Sequence, residues 1–286
     1  GAGPAGLESA RVCAERGHDV LLLEAQSQAG GQVVLAARAS ERQSELLGIT
    51  QWLTSEIQLL GVELRLNTVA ETEKILSEKP DVVITATGGW PEKPLLNGGE
   101  DLVATTSEVL SGEVKIPESV LIFDDHGSER ALSVAEYLQS HGAKDIEIVT
   151  PDRLIGHDLS ATTGPAYLEM LYALGVKLTP DHRLIEVKRD ETKIQAVFRN
   201  EYTSTTIHRN THLVVVENGS SPNDELFKEL RESSVNDGVT DLEALRIGKA
   251  QPGTKNGFTL YRIGDSVASR DIAAAIYEAR RLCQNL

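Results

Sequence analysis

Cysteine is nearly absent: Cys13 and Cys283 are the whole complement of 286 residues. They stand far apart, so neither belongs to a Cys-x-x-Cys redox or metal pair, and both read as small packing residues. The histidines (18, 126, 141, 157, 182, 208 and 212) are scattered without ligand spacing, so no metal site is expected. Basic side chains are in deficit, 28 against 43 acids, and a net charge of −15 opposes nucleic acid or an anionic membrane as partner. No apolar run is long enough to cross a bilayer and no leader pattern is in view. The cytoplasm is therefore expected, with an upstream signal left open. What is plentiful is ordinary core material: 40% hydrophobic residues, enough for two domains at this length.

The chain opens on Gly1-Ala2-Gly3-Pro4-Ala5-Gly6, a Gly-x-Gly-x-x-Gly dinucleotide fingerprint. Such a motif is the turn between the first strand and first helix of a Rossmann unit, so an apolar strand is expected before Gly1 and a longer polypeptide around this chain. Downstream, Leu7, Ala10, Cys13 and Ala14 share a helical face, and Gly17 stands at the C-cap. Val20-Leu21-Leu22-Leu23 reads as a buried strand ending in Glu24. Gly1 permits the tight turn, Gly3 lets backbone approach a pyrophosphate, and Gly6 lets helix and strand pack closely. The helix start, with Pro4 and Ala5, offers N–H groups and partial positive charge to phosphates. An acid about 20 residues past the glycines can accept the ribose hydroxyls, and it disfavours a 2′-phosphate. ADP, FAD or NAD therefore fits better than NADP. The blander alternative is a packing turn with Glu24 solvated.

Gly30-Gly31-Gln32 follows, then an amphipathic helix through Leu46, Ile49, Trp52, Leu53 and Ile57, and a strand at 62–66. A second buried strand, 81–88, enters a glycine turn, and residues 97–118, rich in Gly, Ser, Glu and Pro, read as a connection. A second Rossmann-like unit then begins: strand 119–123, helix 129–141, strand 145–149, helix 164–174, strands near 176–179, 184–188, 194–198 and 203–208, and a closing run at 211–216. The chain returns through Asn218-Gly219 and Pro222-Asn223 to Arg262-Ile263-Gly264-Asp265 and a helix over 271–282. The expected class is α/β: two Rossmann-like dinucleotide-binding domains, the second inserted in the first in the manner of glutathione reductase, with the first strand missing. The expected division is 1–112, 113–218 and 219–286.

With its fingerprint, Ala86-Thr87-Gly88, the Asn218-to-Asn223 turn and Gly264-Asp265, the chain resembles the two-dinucleotide-binding flavoproteins over essentially its whole length. Gly30-Gly31-Gln32-Val33, Ala36-Ala37-Arg38 and the Trp52 helix are more narrowly similar to the C-terminal part of the trimethylamine dehydrogenase and 2,4-dienoyl-CoA reductase family of NADH:flavin oxidoreductases. Residues 258–282 resemble that family's bacterial demethylases of N-methylated amino acids such as dimethylglycine or N-methylproline. The resemblance implies FAD or ADP bound by Gly1, Gly3, Pro4, Ala5, Gly6, Glu24, Gly31, Gln32, Thr87 and Gly88. It also implies backbone from Val69 near the adenine and Gly264-Asp265 at the flavin end. An N-terminal barrel carrying FMN and a 4Fe-4S cluster would be the covalent partner. Homo-oligomers and an electron-transfer partner are expected of the complete enzyme.

The second unit departs from that pattern. After its first strand stands Asp124-Asp125-His126-Gly127-Ser128-Glu129-Arg130-Ala131, with His126, Ser128 and Ala131 in the glycine places. Two exposed acids beside a diphosphate cost about 1 kcal/mol each in water, and more when partly buried. This unit reads as structural or as a docking element. The competing reading keeps NAD(H) on Gly127 and the helix start, with Arg153 on a phosphate or merely solvated. Trp90 lines a nucleotide, lines an interface or packs; Gln32 touches nucleotide or ties its loop. No catalytic nucleophile, base or metal is expected here. Alternatives to a flavoenzyme portion are a self-contained NAD(P)H-dependent FAD reductase and a non-catalytic ADP-binding module.

Overall fold

A computed structural model describes residues 1–252 and 257–286. The chain divides into two compact units: residues 1–34, 45–90 and 220–286 form the first, and 35–44 with 91–219 the second.

In unit 1 the fingerprint leads into the helix Pro4–Glu15, one turn earlier than the apolar face alone suggests, because proline at the first helical position has no N–H to satisfy. The strand Leu21–Leu23 pairs in parallel with Glu63–Arg65, Leu22 opposite Leu64. A separate parallel pair joins Val82–Thr85 to Thr259–Arg262, Val83 opposite Leu260. Between these lie the helices Leu47–Leu59 and Thr72–Ser77, and the closing helix is Ile272–Cys283. Leu53 and Ile57 of the Leu47–Leu59 helix pack on Leu7, Ala10 and Leu22. Trp52, expected on that apolar face, is instead half exposed, with the Arg11 guanidinium 5.6 Å above its ring.

Unit 2 carries one continuous five-stranded parallel sheet, in the order Val103–Thr105, Leu213–Glu217, Ser119–Asp124, Asp145–Val149 and Lys177–Thr179. The middles of its two inner strands, Val120–Phe123 and Leu213–Val216, are apolar and buried, as burial on both faces requires, with acids at the strand ends. The helices Thr106–Ser111, Glu129–Ser140 and Gly164–Ala173 contribute to the core on one face, where Val120, Ile122, Ile148 and Val215 meet Leu132, Val134 and Leu171. The three-stranded antiparallel sheet of His182–Asp190, Lys193–Asn200 and Thr206–Thr211 covers the other, through Leu184, Val187, Ala196 and Phe198. Stretch 97–118 is more than a connection. It supplies an edge strand and a helix started by a capping box, in which the Thr105 side chain accepts from Glu108 N and the Glu108 carboxylate from Thr105 N.

Candidate functional site

The fingerprint turn of unit 1 is held by contacts that leave no room for side chains. A Cβ on Gly6 would lie 1.8 Å from the Gly1 carbonyl oxygen, and one on Gly1 would lie 2.5 Å from that of Ala86. Gly3 is different. Its backbone is extended, and a Cβ there would meet only Gly31 Cα, at 3.9 Å. Packing therefore demands glycine at 1 and 6, while at 3 the protein's own atoms leave free space. Gly31, at φ +55°, stands against Gly3, and Gly30 N donates to Ala2 O at 2.8 Å, so a second glycine pair forms the other wall.

The helix behind this turn begins with no side-chain cap on Gly3 and no acid in its first turn. The N–H groups of Ala5 and Gly6 lie in the first turn, where helix amides lack intrahelical acceptors and the dipole is positive. Glu24 is buried, and both its oxygens are engaged: Oε2 accepts from Ala2 N at 2.5 Å and Oε1 from Gln26 N at 2.8 Å. The carboxylate thus positions the turn, and each oxygen retains a lone pair for a sugar hydroxyl. Thr68 N donates to Glu24 O at 2.8 Å, which sets the exposed Val69 one residue from the strand end.

Of the remaining expected residues, Thr87 and Gly264 stand against the fingerprint segment. Ala86 touches Gly1 and Gly6. Thr87 Oγ1 donates to Asn223 O, and Asn223 N donates back to Gly88 O at 3.0 Å, locking the return segment across the glycine turn. Gly264, at φ +65°, packs on Ala5 of the fingerprint helix and donates its N–H to Glu278 at 2.7 Å. Asp265 Oδ1 accepts from Arg270 N at 3.2 Å. The last helix is capped by Asp271, which accepts from Ala274 N at 2.6 Å, so Asp271 takes the role of cap as the sequence allows. Gln32 is exposed beside Gly31 at the start of the short helix Gln32–Ala36. Trp90 is exposed on the strand Gly89–Pro91.

Sequence reasoning missed two supports of this turn. Gly30 and Ala2 bond the two glycine loops together, a contact no spacing announces. Arg11, buried in the fingerprint helix, forks onto Glu8 at 2.7 and 2.8 Å and reaches Glu15 at 2.6 Å; the i, i+3 and i, i+4 spacing was the available signal.

The corresponding turn of unit 2 is closed by its own residues. Asp124, fully buried, accepts from His126 N at 3.1 Å and Gly127 N at 2.9 Å, and at the helix start Ser128 Oγ accepts from Arg130 N at 3.4 Å. Burial pushes the Asp124 carboxyl up to about 7, with Glu217 and Asp152 nearby adding to the rise. Its other oxygen is buried without a hydrogen-bond partner. Asp125 is also raised by burial, despite the Arg183 guanidinium at 2.9 Å. A Cβ on Gly127 would run into the His157 ring, itself 2.9 Å from Asp152. Arg153 is exposed.

Among the described residues no His, Cys, Asp and Glu group has the makings of a metal site, and no helix is long and apolar enough to cross a membrane. A family model described as pyridine nucleotide-disulphide oxidoreductase matches residues 1–242. The chain is 42% identical over 289 residues to the probable N-methylproline demethylase of Rhizobium meliloti (strain 1021), covering all of this chain and 42% of that protein. It is also 42% identical over 299 residues to the N,N-dimethylglycine/sarcosine dehydrogenase of Chromohalobacter salexigens, covering all of this chain and 43% of that one. Among solved structures, a 2-naphthoyl-CoA reductase superposes with a TM-score of 0.83 at 26% identity, over all of this chain and 39% of the other. The chain thus spans about two-fifths of the length of these relatives.

Proposed function

The chain belongs to the pyridine nucleotide-disulphide oxidoreductase family, and from that premise we propose that it is the nucleotide-binding portion of a flavin-dependent oxidoreductase, holding FAD, or ADP alone, in unit 1. The observation that carries this reading is Gly3: its missing Cβ is required by nothing in the fold, and it borders an uncapped helix N-terminus. Within that cradle the Ala5 and Gly6 amides take the diphosphate, Glu24 the adenosine ribose, and Gly31 and Gln32 the facing wall. Val69 lies toward the adenine, and Thr87, Gly88, Gly264 and Asp265 toward the far end of the nucleotide.

A flavin, when bound, supplies two-electron chemistry; this chain's residues bind it, orient it and set the charge around it. The substrates we infer are N-methylated amines, with enoyl thioesters second, acted on through FMN and an iron–sulfur centre in a barrel domain outside these residues. The two N-methyl-amine relatives, by their names and 42% identity, support that order. A cytoplasmic, homo-oligomeric enzyme with an electron-transfer partner belongs to the same reading. The alternative of a self-contained NAD(P)H-dependent reductase needs the unit 2 turn, whose helix start is capped by Ser128 and carries Glu129 in its first turn. The alternative of a structural module is an ADP site without flavin.

Gly3→Ala tests the reading. The added methyl has space and an ordinary backbone, so the far-UV spectrum and melting temperature stay at wild-type values. Titration calorimetry should show FAD and ADP binding weakened at least about tenfold, or about 1.4 kcal/mol. Equal affinity in both proteins would overturn the assignment. The visible spectrum of the purified protein separates flavin from ADP alone.

A further inference from the structure

The two cysteines that sequence spacing keeps apart meet in space. Cys13 lies in the helix Pro4–Glu15 and Cys283 in the last turn of Ile272–Cys283, the first and last helices of unit 1. Together with Val12 they form one buried apolar cluster, with Val20, Ile84 and Leu286 packed around it. Both are free thiols, buried side by side in that one cluster. The neighbouring Cys283 thiol, with help from Arg16, holds Cys13 below the ordinary thiol range, while Cys283 is raised by Cys13 and by burial. Cys13 is also the more accessible of the two, 9% exposed against none for Cys283, so it is the thiol that a peroxide reaches first.

We propose that Cys13 and Cys283 are a redox-responsive cross-link, oxidised by a peroxide to a disulphide that staples the first helix of unit 1 to its last. In the first step the Cys13 sulfur attacks one oxygen of hydrogen peroxide. The O–O bond breaks, the leaving hydroxide takes up the Cys13 proton as water, and Cys13 becomes a sulfenic acid. In the second, the Cys283 sulfur attacks the Cys13 sulfur, the S–O bond breaks, and the departing hydroxide takes up the Cys283 proton. Two thiols and one peroxide become one disulphide and two waters, the sulfurs losing the two electrons that the peroxide gains. Hydrogen peroxide is small enough to enter a site where Cys13 is only 9% exposed. The last turn of a helix is also the part that opens at least cost. The bridge closes a loop of nearly the whole sequence, which restricts the unfolded chain and leaves the packed helices where they are.

Peptide mapping provides the test on the purified, nucleotide-loaded protein. After reduction, exposure to hydrogen peroxide, blocking with N-ethylmaleimide and trypsin digestion without reductant, residues 12–16 should appear linked to the peptide that begins at Leu282. Dithiothreitol should abolish that species. In Cys283→Ser the same treatment should leave Cys13 as its sulfenic or sulfinic acid, with no linked peptide. The oxidised wild type should melt several degrees higher than the reduced protein, and Cys283→Ser should show no such gain. Recovery of both cysteines as separate maleimide adducts, or as separately oxidised residues, would overturn the proposal.

Discussion

Each unit has a helix that starts where a parallel strand-end turn would present amides to a phosphate, and the two turns use those amides in opposite ways. In unit 1 the Gly3 position is open, no acid lies in the first helical turn, and the one nearby carboxylate, Glu24, holds Ala2 N rather than the helix start. In unit 2 the helix start is capped by Ser128, whose Oγ accepts from Arg130 N at 3.4 Å, Glu129 puts an acid in the first helical turn, and the buried Asp124 carboxyl holds the preceding His126 and Gly127 amides. The helices differ as well. Pro4–Glu15 buries the Glu8–Arg11 ion pair, whereas Glu129–Ser140 buries Ala131, Leu132, Val134, Ala135 and Leu138. Similar architecture thus permits one turn left open and uncapped and one that satisfies itself. Which is which depends on whether the amides have an internal acceptor.

The largest effect should come from importing the unit 2 residue into unit 1. Gly6→Ala forces a Cβ to within 1.8 Å of Gly1 O and should cost about 3–5 kcal/mol, read by urea unfolding, with loss of nucleotide binding. The reverse change, Ala131→Gly in unit 2, should cost only about 1–2 kcal/mol and create no binding. If both were mild, the contrast drawn between packing-required and ligand-required glycines would fail. Next in size is Arg11→Ala, which strands the buried Glu8 carboxylate and should cost about 3 kcal/mol in unit 1. An Arg11→Ala, Glu8→Ala pair should recover part of that loss.

Asp124→Asn sharpens the unit 2 side. With its folded value raised to about 7 from 3.8, folding favours the protonated acid. That stability is fully present below about pH 4 and is lost as pH rises through 7. An amide mimics the neutral acid at every pH and keeps an oxygen for both turn amides. The variant should therefore match wild type near pH 4 and exceed it by about 2–4 kcal/mol at pH 8. A difference independent of pH would show that Asp124 is ionised in the folded protein.

Much of this was legible in one sequence because local chemistry decided it. Fingerprint glycines, apolar central strands and the alternating pattern of the 182–211 hairpins each follow from sterics or period within a few residues. The edge strand Val103–Thr105 was hidden by a Gly- and Pro-rich setting, although Thr105 and Glu108 have capping-box spacing. The helix Glu225–Arg231, which buries Phe227 and Leu230, was likewise unassigned, too short to carry a periodic signal. The aspartates at 124 and 125 were read as repelling phosphate. Only coordinates show that Asp124 turns inward onto the His126 and Gly127 amides. The meeting of Cys13 and Cys283 depends on the packing of helices from opposite ends of the sequence, which no local pattern encodes.

The spare room at Gly3 has a consequence for how this protein tolerates change. A library of variants sorted only for yield or heat resistance should pass alanine there as neutral, while the same library sorted for turnover should reject it. Position 6 should fail both sorts. Comparing the two screens residue by residue would separate places constrained by the polypeptide from places constrained by its guest, without a bound ligand ever being seen.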